Sequence, residues 1–408
     1  MKLGVNATDY MQYFLTVKEC NNASIKNHIL SIRQKGENMQ RRIALIFGGR
    51  SLEKEISIIT AMQVLANVDK SEFKVEPIYM DDGNFYVGGV DDVKKFVSFN
   101  PLAHEKAYLI KGEFFKLKRN KLVKFFKPDV AFLCCHGGEG ENGTLQGLLE
   151  YNGIAYTSCD VCASACCMDK AFSKKIFDGL MLNVLPYETV LKSDYEKDKQ
   201  GTVDWLKAVL DYPIIVKPST GGSSIGIAVA TDDESLAYAL DVAFSFDDKV
   251  IAEKKLVDFK EVNCAAFEEN GKIVVSNTER PCSDSDFLTF DDKYVGGGKM
   301  SRSERIMPAD IGSLELIVKA NTERVYKEMG LFGVVRVDYL VDEKRKKVYI
   351  NEINTIPGSM AFYLFDMPFS SLISRLIEQA ILRKTRGVKT SFTTGILANF
   401  SGGIKMKK

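Results

Sequence analysis

Strands that run into glycine-rich turns and then into helices recur along this chain, and that order restricts the fold more than any other feature. "RIALIFGG" starts at Arg42, ends on Gly48 and Gly49, and is followed by the helical pattern "EKEISIITAMQVLANV". "KVEPIYM" reads as a strand, "DVAFLCCHGG" as a strand and turn, and "TLQGLLEYNG" as a helix closed by a glycine. Strands alternating with helices predict a parallel α/β sheet over roughly 41–160. In "GGRSLEKE" Ser51 is the expected N-cap of the first helix and Glu53 lies in its first turn. Glu53 then either complements the helix dipole or is a carboxylate held at a cleft mouth to bind an ammonium.

From about 161 the pattern changes to mixed α+β. "MDKAFSKKIFDGL" reads as a helix, "YPIIVKPS" and "VIAEKKL" as strands, and "EVNCAAFEENGKIVV" as a hairpin with an Asn-Gly turn. The 408 residues suffice for two to four compact domains. Lys plus Arg number 55 against 54 for Asp plus Glu, which leaves no global basic field for nucleic acid or an acidic membrane. No apolar run is long enough to span a bilayer, and no secretory pattern opens the chain. The nine cysteines cluster without forming a framework, which predicts reduced thiols in a cytoplasmic protein.

Residues 1–40 are polar and patternless, expected to be disordered or untranslated. Lys35-Gly36-Glu37 back-translates to a purine-rich stretch just before the Met39 codon, which reads as a ribosome-binding site and predicts translation from Met39. A native mass that includes residues 1–38 would rule this out.

The late hairpin carries the densest chemistry. "GVVRVDYLV" (333–341) and "KVYINEIN" (347–354) flank the charged turn "DEKRK". Symmetric closure about Arg345 sets Asp338 opposite Glu352 and Arg336 opposite Asn354, all on one face. Two facing carboxylates repel unless a cation or proton lies between them. Oxygen ligands from Asp338, Glu352 and Asn354 suit a hard cation such as Mg²⁺; the other reading is a solvated sheet face with a salt bridge from Arg336. The tight turn "TIPGS" directly after it exposes backbone N–H groups beside the metal position.

"IIVKPSTGGSSIG" (214–226) ends a strand on Lys217 and continues into a loop whose amides, with the Ser223 and Ser224 hydroxyls, either wrap phosphate oxygens or form a plain turn. It is not a Walker A loop. In "HGGEGENGT" (136–144), His136 is a ligand contact or a hydrogen-bonded structural histidine. The spacing in "CDVCASACCMDK" matches no standard zinc or iron–sulfur site.

Taken in order, "LIFGGRSLEKEIS", "HGGEGENGTLQGLLE", "CASACCMDK", "IIVKPSTGGSSIG", "RVDYLV" and "NEINTIPGS" resemble the D-alanine–D-alanine ligase family of the ATP-grasp superfamily, over residues 41 to about 380. The resemblance implies a Rossmann-like N-terminal (pre-ATP-grasp) domain at 41–160. It also implies a two-lobed ATP-grasp fold, with a central lobe at 161–257, a C-terminal lobe at 258–385 and a tail at 386–408. It implies ATP-dependent joining of two D-alanines through an acyl phosphate, for peptidoglycan synthesis, with ATP and two Mg²⁺ ions (Mn²⁺ as a substitute) and a homodimer.

By position, Lys170 and Lys217 match the family's phosphate lysines, and Ser223, Ser224, Glu253, Lys254, Leu256, Glu261 and Phe287 match its ATP site. Asp338, Glu352 and Asn354 match the magnesium ligands. Arg336 and the Gly358 N–H match the groups that hold the reacting carboxylate, and Glu53, Ser223 and Tyr294 match a hydrogen-bonded trio near the first substrate, with His136 nearby. Lys293 and Tyr294 match the pair typical of dipeptide-forming members. The lid is expected at 221–224 and 291–305.

The chain departs from the family where a Ser-Leu usually meets the second substrate: here stand Tyr363 and Leu364. Lys255 replaces an aromatic that often packs on adenine. Alternative second substrates (D-serine, D-lactate or another amine) therefore stay open, as does a silent nucleotide-binding protein.

Overall fold

The computed structural model describes residues 40–222, 224–281 and 305–386. The leader with Met39 and the tail beyond Arg386 lie outside these residues.

β1 (Arg41–Gly48) is buried along almost its whole length, as expected of a strand covered on both faces. It pairs in parallel with β2 (Phe73–Asp81) and β7 (Val130–Leu133), and β7 pairs in parallel with β8 (Ala155–Tyr156). Helix α1 (Lys54–Asn67) links β1 to β2, and α2 (Thr144–Tyr151) links β7 to β8.

The expectation of a parallel sheet accounts for only half of this layer. β3 (Asn84–Val87), β4 (Glu105–Ile110), β5 (Glu113–Lys118) and β6 (Lys121–Phe126) extend it as an antiparallel meander, giving the order β6-β5-β4-β3-β2-β1-β7-β8. Three of its turns are two-residue pairs with positive φ at both positions: Asp82-Gly83, Lys111-Gly112 and Arg119-Asn120. Such mirror-image turns match the twist of the strands they join.

The second sheet is four-stranded and antiparallel, in the order β11-β10-β12-β9: β9 (Tyr187–Leu191), β10 (Ile214–Pro218), β11 (Ala228–Ala230) and β12 (Lys249–Lys254). Helices α5 (Lys199–Leu210) and α6 (Asp233–Phe244) share its core. The third sheet, β15-β14-β13-β16-β17, contains β13 (Lys260–Glu269), β14 (Lys272–Pro281), β15 (Arg305–Ile306), β16 (Val335–Asp342) and β17 (Lys347–Asn354). Asn270 and Gly271 make the expected turn between β13 and β14, both with positive φ.

Two packing relations cross the expected divisions. Helices α3 (Val161–Met168) and α4 (Lys170–Gly179) bury Ala163, Cys167 and Phe177 in one cluster with the third sheet and α7 (Leu314–Glu328). The last helix, α8 (Phe369–Arg386), returns to the first sheet, where Leu372, Ile373 and Leu376 join the core of β1 and β7. The three sheets are thereby brought around one cleft. Among the described residues no helix is long and apolar enough to cross a membrane.

Candidate active site

At the cleft end of the late hairpin, β16 alternates buried Val335 and Val337 with half-buried Arg336 and Asp338. The cross-strand pairs are Arg336 with Asn354 and Asp338 with Glu352. They arise differently from simple closure about Arg345. Nearer the tip the pairs are Asp342 with Lys347 and Tyr339 with Ile350, a register offset by one residue. Asn351 is the extra residue on β17, and this bulge restores the alignment at the cleft. Arg336 donates from Nε to Asp338 Oδ1 at 2.7 Å and from Nη2 to Oδ2 at 2.8 Å. Asn354 Nδ2 donates to the same Oδ2 at 2.9 Å. Arg336 thus places a positive charge on Asp338, one of the two facing carboxylates, from the same strand. Among the described residues no group of three or more His, Cys, Asp or Glu forms a metal site, so the candidate cation position rests on two carboxylates and an amide. That oxygen-only set fits a hard divalent ion.

The turn after β17 is fastened to the first sheet by buried bonds. Glu141 accepts from the Ile356 N–H at 2.7 Å, the Thr355 hydroxyl at 3.3 Å and the Gly137 N–H at 2.8 Å. His136 Nδ1 lies 2.6 Å from the Ile356 carbonyl, which can only accept, so Nδ1 carries the proton. Its Nε2 then accepts from the Thr60 hydroxyl at 2.9 Å, and Thr60 Oγ1 accepts from the Ser359 N–H at 3.2 Å. Both ring nitrogens of His136 are engaged by the protein, which favours the structural of its two readings. Burial holds its pKa down at about 4. Burial, helped by the charge of Glu53, pushes Glu141 up to about 7 against the N–H groups that hold it.

Glu53 occupies the cap position of α1. Ser51, the expected N-cap, instead accepts from the Glu53 N–H at 3.0 Å, because a turn precedes the helix and the helix begins only at Lys54. The Glu53 carboxylate bridges two loops. A Cβ at Gly137, whose φ is +66°, would fall 2.8 Å from Glu53 Oε2, and one at Gly222 would fall 3.0 Å from it. At Gly137 the positive φ also favours glycine, whereas a side chain at Gly222 would require the Glu53 carboxylate to give way slightly.

On the opposite wall, Lys170 Nζ donates to the Gly221 carbonyl and ties α4 to the glycine-rich loop. Lys217 Nζ donates to Glu253 Oε2 at 2.7 Å and reaches Asn351 Oδ1 at 3.5 Å. Lys174 makes an ion pair with the other oxygen, Glu253 Oε1, at 3.0 Å. Glu253 is fully buried; burial alone would raise its pKa, yet the two ammonium groups hold it down at about 2.

Two adjoining cavities, of about 730 and 290 Å³, fill the cleft. Both are lined by Lys170, Gly221, Gly222, Arg336 and Glu352. The larger also meets Glu53, His136, Asn354, Gly358 and Tyr363. The smaller meets Lys217, Ser224, Glu253, Leu256, Glu261 and Asp338. It also meets Lys254, whose ammonium is held by the Asp211 and Tyr212 carbonyls at 3.0 and 2.8 Å. Leu364 stands apart from the other expected site residues, fully buried in the core. Ser223, Phe287, Lys293 and Tyr294, and with them most of the expected lid, lie outside the described residues.

The structure adds groups that sequence reasoning missed. Lys174 lies four residues after Lys170 on the same helical face, a spacing that could have flagged it. Glu141 carries no such signal. At the far end of the larger cavity Tyr363 donates to Glu279 Oε2 at 3.3 Å, and Arg305 stacks on the Tyr363 ring at 4.5 Å while pairing with Glu279 Oε1 at 3.2 Å.

Comparison with known proteins gives a consistent result. Residues 42–159 match the family model "D-ala D-ala ligase N-terminus" and residues 176–378 match "D-ala D-ala ligase C-terminus". A D-alanine–D-alanine ligase from Caldicellulosiruptor bescii is 35% identical over 367 residues, covering 86% of this chain and 98% of that protein. One from Thermosipho africanus is 37% identical, covering 83% of this chain and 92% of its own length. Among solved structures, the D-alanine–D-alanine ligase of Helicobacter pylori aligns with a TM-score of 0.69 at 27% identity, covering 84% of this chain and 98% of its own. The D-Ala:D-Ser ligase of Enterococcus faecalis aligns at 0.71 and 27%, covering 84% and 100%.

Proposed function

The chain belongs to the D-alanine–D-alanine ligase family, and from that premise we propose that it joins two D-alanines at the cleft, with ATP converted to ADP and phosphate. It is an ATP-grasp carbon–nitrogen ligase that serves peptidoglycan synthesis. The observation that carries the reading is the gathering of Lys170, Arg336, Glu352 and the glycine-rich loop on both cavities of one cleft.

In this reading the first D-alanine's carboxylate attacks the γ-phosphate, and the second D-alanine's amine then displaces phosphate from the acyl phosphate. Asp338, Glu352 and Asn354 are the residues that would hold Mg²⁺, which when bound neutralises charge on the phosphates. Lys170 and Lys217 add fixed positive charge beside the loop at 219–226. Ser224, Leu256 and Glu261 line the nucleotide end, and Glu253 and Lys254 complete it. Glu53 stands at the mouth of the substrate cavity, placed to receive an ammonium. Arg336 and the Gly358 N–H are assigned to the oxyanion that forms when the amine attacks, a role worth about 3 kcal/mol per donor. For Arg336 this requires release from Asp338, which a cation on Asp338 would favour. Ser223, Tyr294, Lys293 and Phe287 keep their assigned roles in this proposal, as do the division at 161 and 258, the homodimer and the cytoplasmic setting.

One observation favours a second reading for the acceptor. Tyr363, with Arg305 and Glu279 behind it, narrows the far end of the larger cavity with polar groups. Such an end suits an acceptor with a hydroxyl, such as D-serine. ADP release with D-alanine alone, then with D-alanine paired with D-serine, D-lactate or other D-amino acids, tests both. ADP release with D-alanine alone supports the dipeptide reading; release only with a second amino acid supports the alternative. Nucleotide binding with no release under any condition would overturn the ligase reading.

A further inference from the structure

We propose that Lys174 is a positioning residue for the nucleotide's phosphates: it holds Glu253 from behind, so that Lys217 can leave that carboxylate for a phosphate oxygen. This rests on the reading of the cleft as a nucleotide site.

The two oxygens of Glu253 are divided between two lysines on different elements, Lys174 from α4 at 3.0 Å and Lys217 from β10 at 2.7 Å. The lysines differ in reach. Lys217 lines the smaller cavity, whereas the side chain of Lys174 is 1% exposed and lies behind the carboxylate. An incoming anion therefore meets Lys217 and not Lys174.

The balance of charge makes the exchange feasible. A carboxylate with a single lysine in a nearly dry site forms a pair that resists separation, since parting it strands a buried anion. Two lysines on one carboxylate remove that obstacle. When Lys217 turns to a phosphate, Glu253 keeps a cation on Oε1 and stays ionised and in place. Lys174 is thus a resident counter-ion, and the excess positive charge of the trio is offset when the nucleotide arrives. The Lys174 ammonium also lies 5.9 Å from the centre of the Tyr187 ring, which helps to keep it where water does not reach. Its place one helical turn after Lys170 joins it to the element that fastens the glycine-rich loop.

The test measures binding without D-alanine, so it does not depend on ligase turnover. The full chain, Lys174→Met and Lys174→Arg are titrated calorimetrically, with Mg²⁺ present, against a non-hydrolysable ATP analogue and against adenosine. Lys174→Met should weaken the triphosphate by about tenfold or more, equivalent to about 1.4 kcal/mol, while adenosine changes by less than about twofold. Lys174→Arg should retain most of the affinity. Adding Glu253→Gln to Lys174→Met should restore the preference for triphosphate over adenosine, because Lys217 is then no longer held by a charge. Equal weakening of both ligands, no weakening, or no recovery in the double variant would overturn the proposal and leave Lys174 a structural ion-pair partner. If Lys174→Met alone fails to fold, the double variant decides: a triphosphate preference at or above wild type supports the proposal, and a lost preference overturns it. A wild-type chain that binds neither ligand overturns both this inference and the nucleotide site. One that binds the triphosphate yet releases no ADP with any amino acid overturns only the ligase reading.

Discussion

Glu141 and Glu253 are both buried carboxylates on the walls of the cleft, and their surroundings drive them in opposite directions. Glu141 is held by two backbone N–H groups and a hydroxyl with Glu53 nearby, and its pKa rises to about 7. Glu253 is held by two ammonium groups and falls to about 2. At Glu141 the neutral donors do not outweigh burial and the charge of Glu53, whereas at Glu253 two cations outweigh burial. The first site is suited to fixing a loop, since its bonds join two backbones. The second is suited to exchange, since one of its cations also faces a cavity.

The opposite shifts give opposite pH dependence. Glu141, with its folded pKa above the ordinary glutamate value of 4.5, binds more protons folded than unfolded, so its contribution to stability declines as pH rises from about 4.5 to about 7. Glu253, with its folded pKa below 4.5, contributes fully above that value and loses the contribution as pH falls towards about 2. Each window spans on the order of 3 kcal/mol.

The largest effect is expected at neither glutamate. Glu352→Ala should lower ADP release by roughly a thousandfold or more with the fold retained, because Glu352 is one of the two carboxylates assigned to the cation. A smaller loss there than at Glu253 would break the comparison by moving the chemistry onto the buried pair. Glu253→Ala comes next. It strands two buried ammonium groups, and chemical denaturation at pH 7 should show a loss of about 3–5 kcal/mol. Glu141→Gln should cost less, about 1–3 kcal/mol, because one of the two backbone bonds is replaced by facing N–H donors. It should also make the slope of stability against pH more positive between 4.5 and 7, because the rise that His136 contributes there (folded pKa about 4 against an ordinary 6.5) is then unopposed, and an unchanged slope would show that Glu141 does not titrate in that window. Ser51→Ala is the smallest, at most about 1 kcal/mol, since it removes one hydroxyl acceptor from a part-exposed turn.

The sequence made some of this legible and hid the rest for physical reasons. Alternation in "RVDYLV" and "YINEIN" was enough to put Arg336, Asp338, Glu352 and Asn354 on one face, because strand periodicity applies to polar residues as it does to apolar ones. It did not disclose the bulge at Asn351, and the right pairing was reached from the wrong closure of the tip. The meander at 84–126 was missed because lysines dominate "KGEFFKLKRNKLVKFF", although Lys111-Gly112 and Arg119-Asn120 mark its turns. Lys174 lies among Lys170 and Lys175, where a run of lysines reads as a solvated face; its burial depends on Glu253, some eighty positions later. Leu364 was expected beside the substrate together with Tyr363, but the turn of chain at 358–364 sends the adjacent side chains apart, Tyr363 into the cavity and Leu364 into the core.

The bulge at Asn351 separates the hairpin into two gears. The tip can mesh at one setting and the cleft end at another, so the length of the outer loop need not dictate which side chains confront the reacting groups. A single residue without a cross-strand mate gives this hairpin freedom to vary at its outer end while its inner end stays aligned.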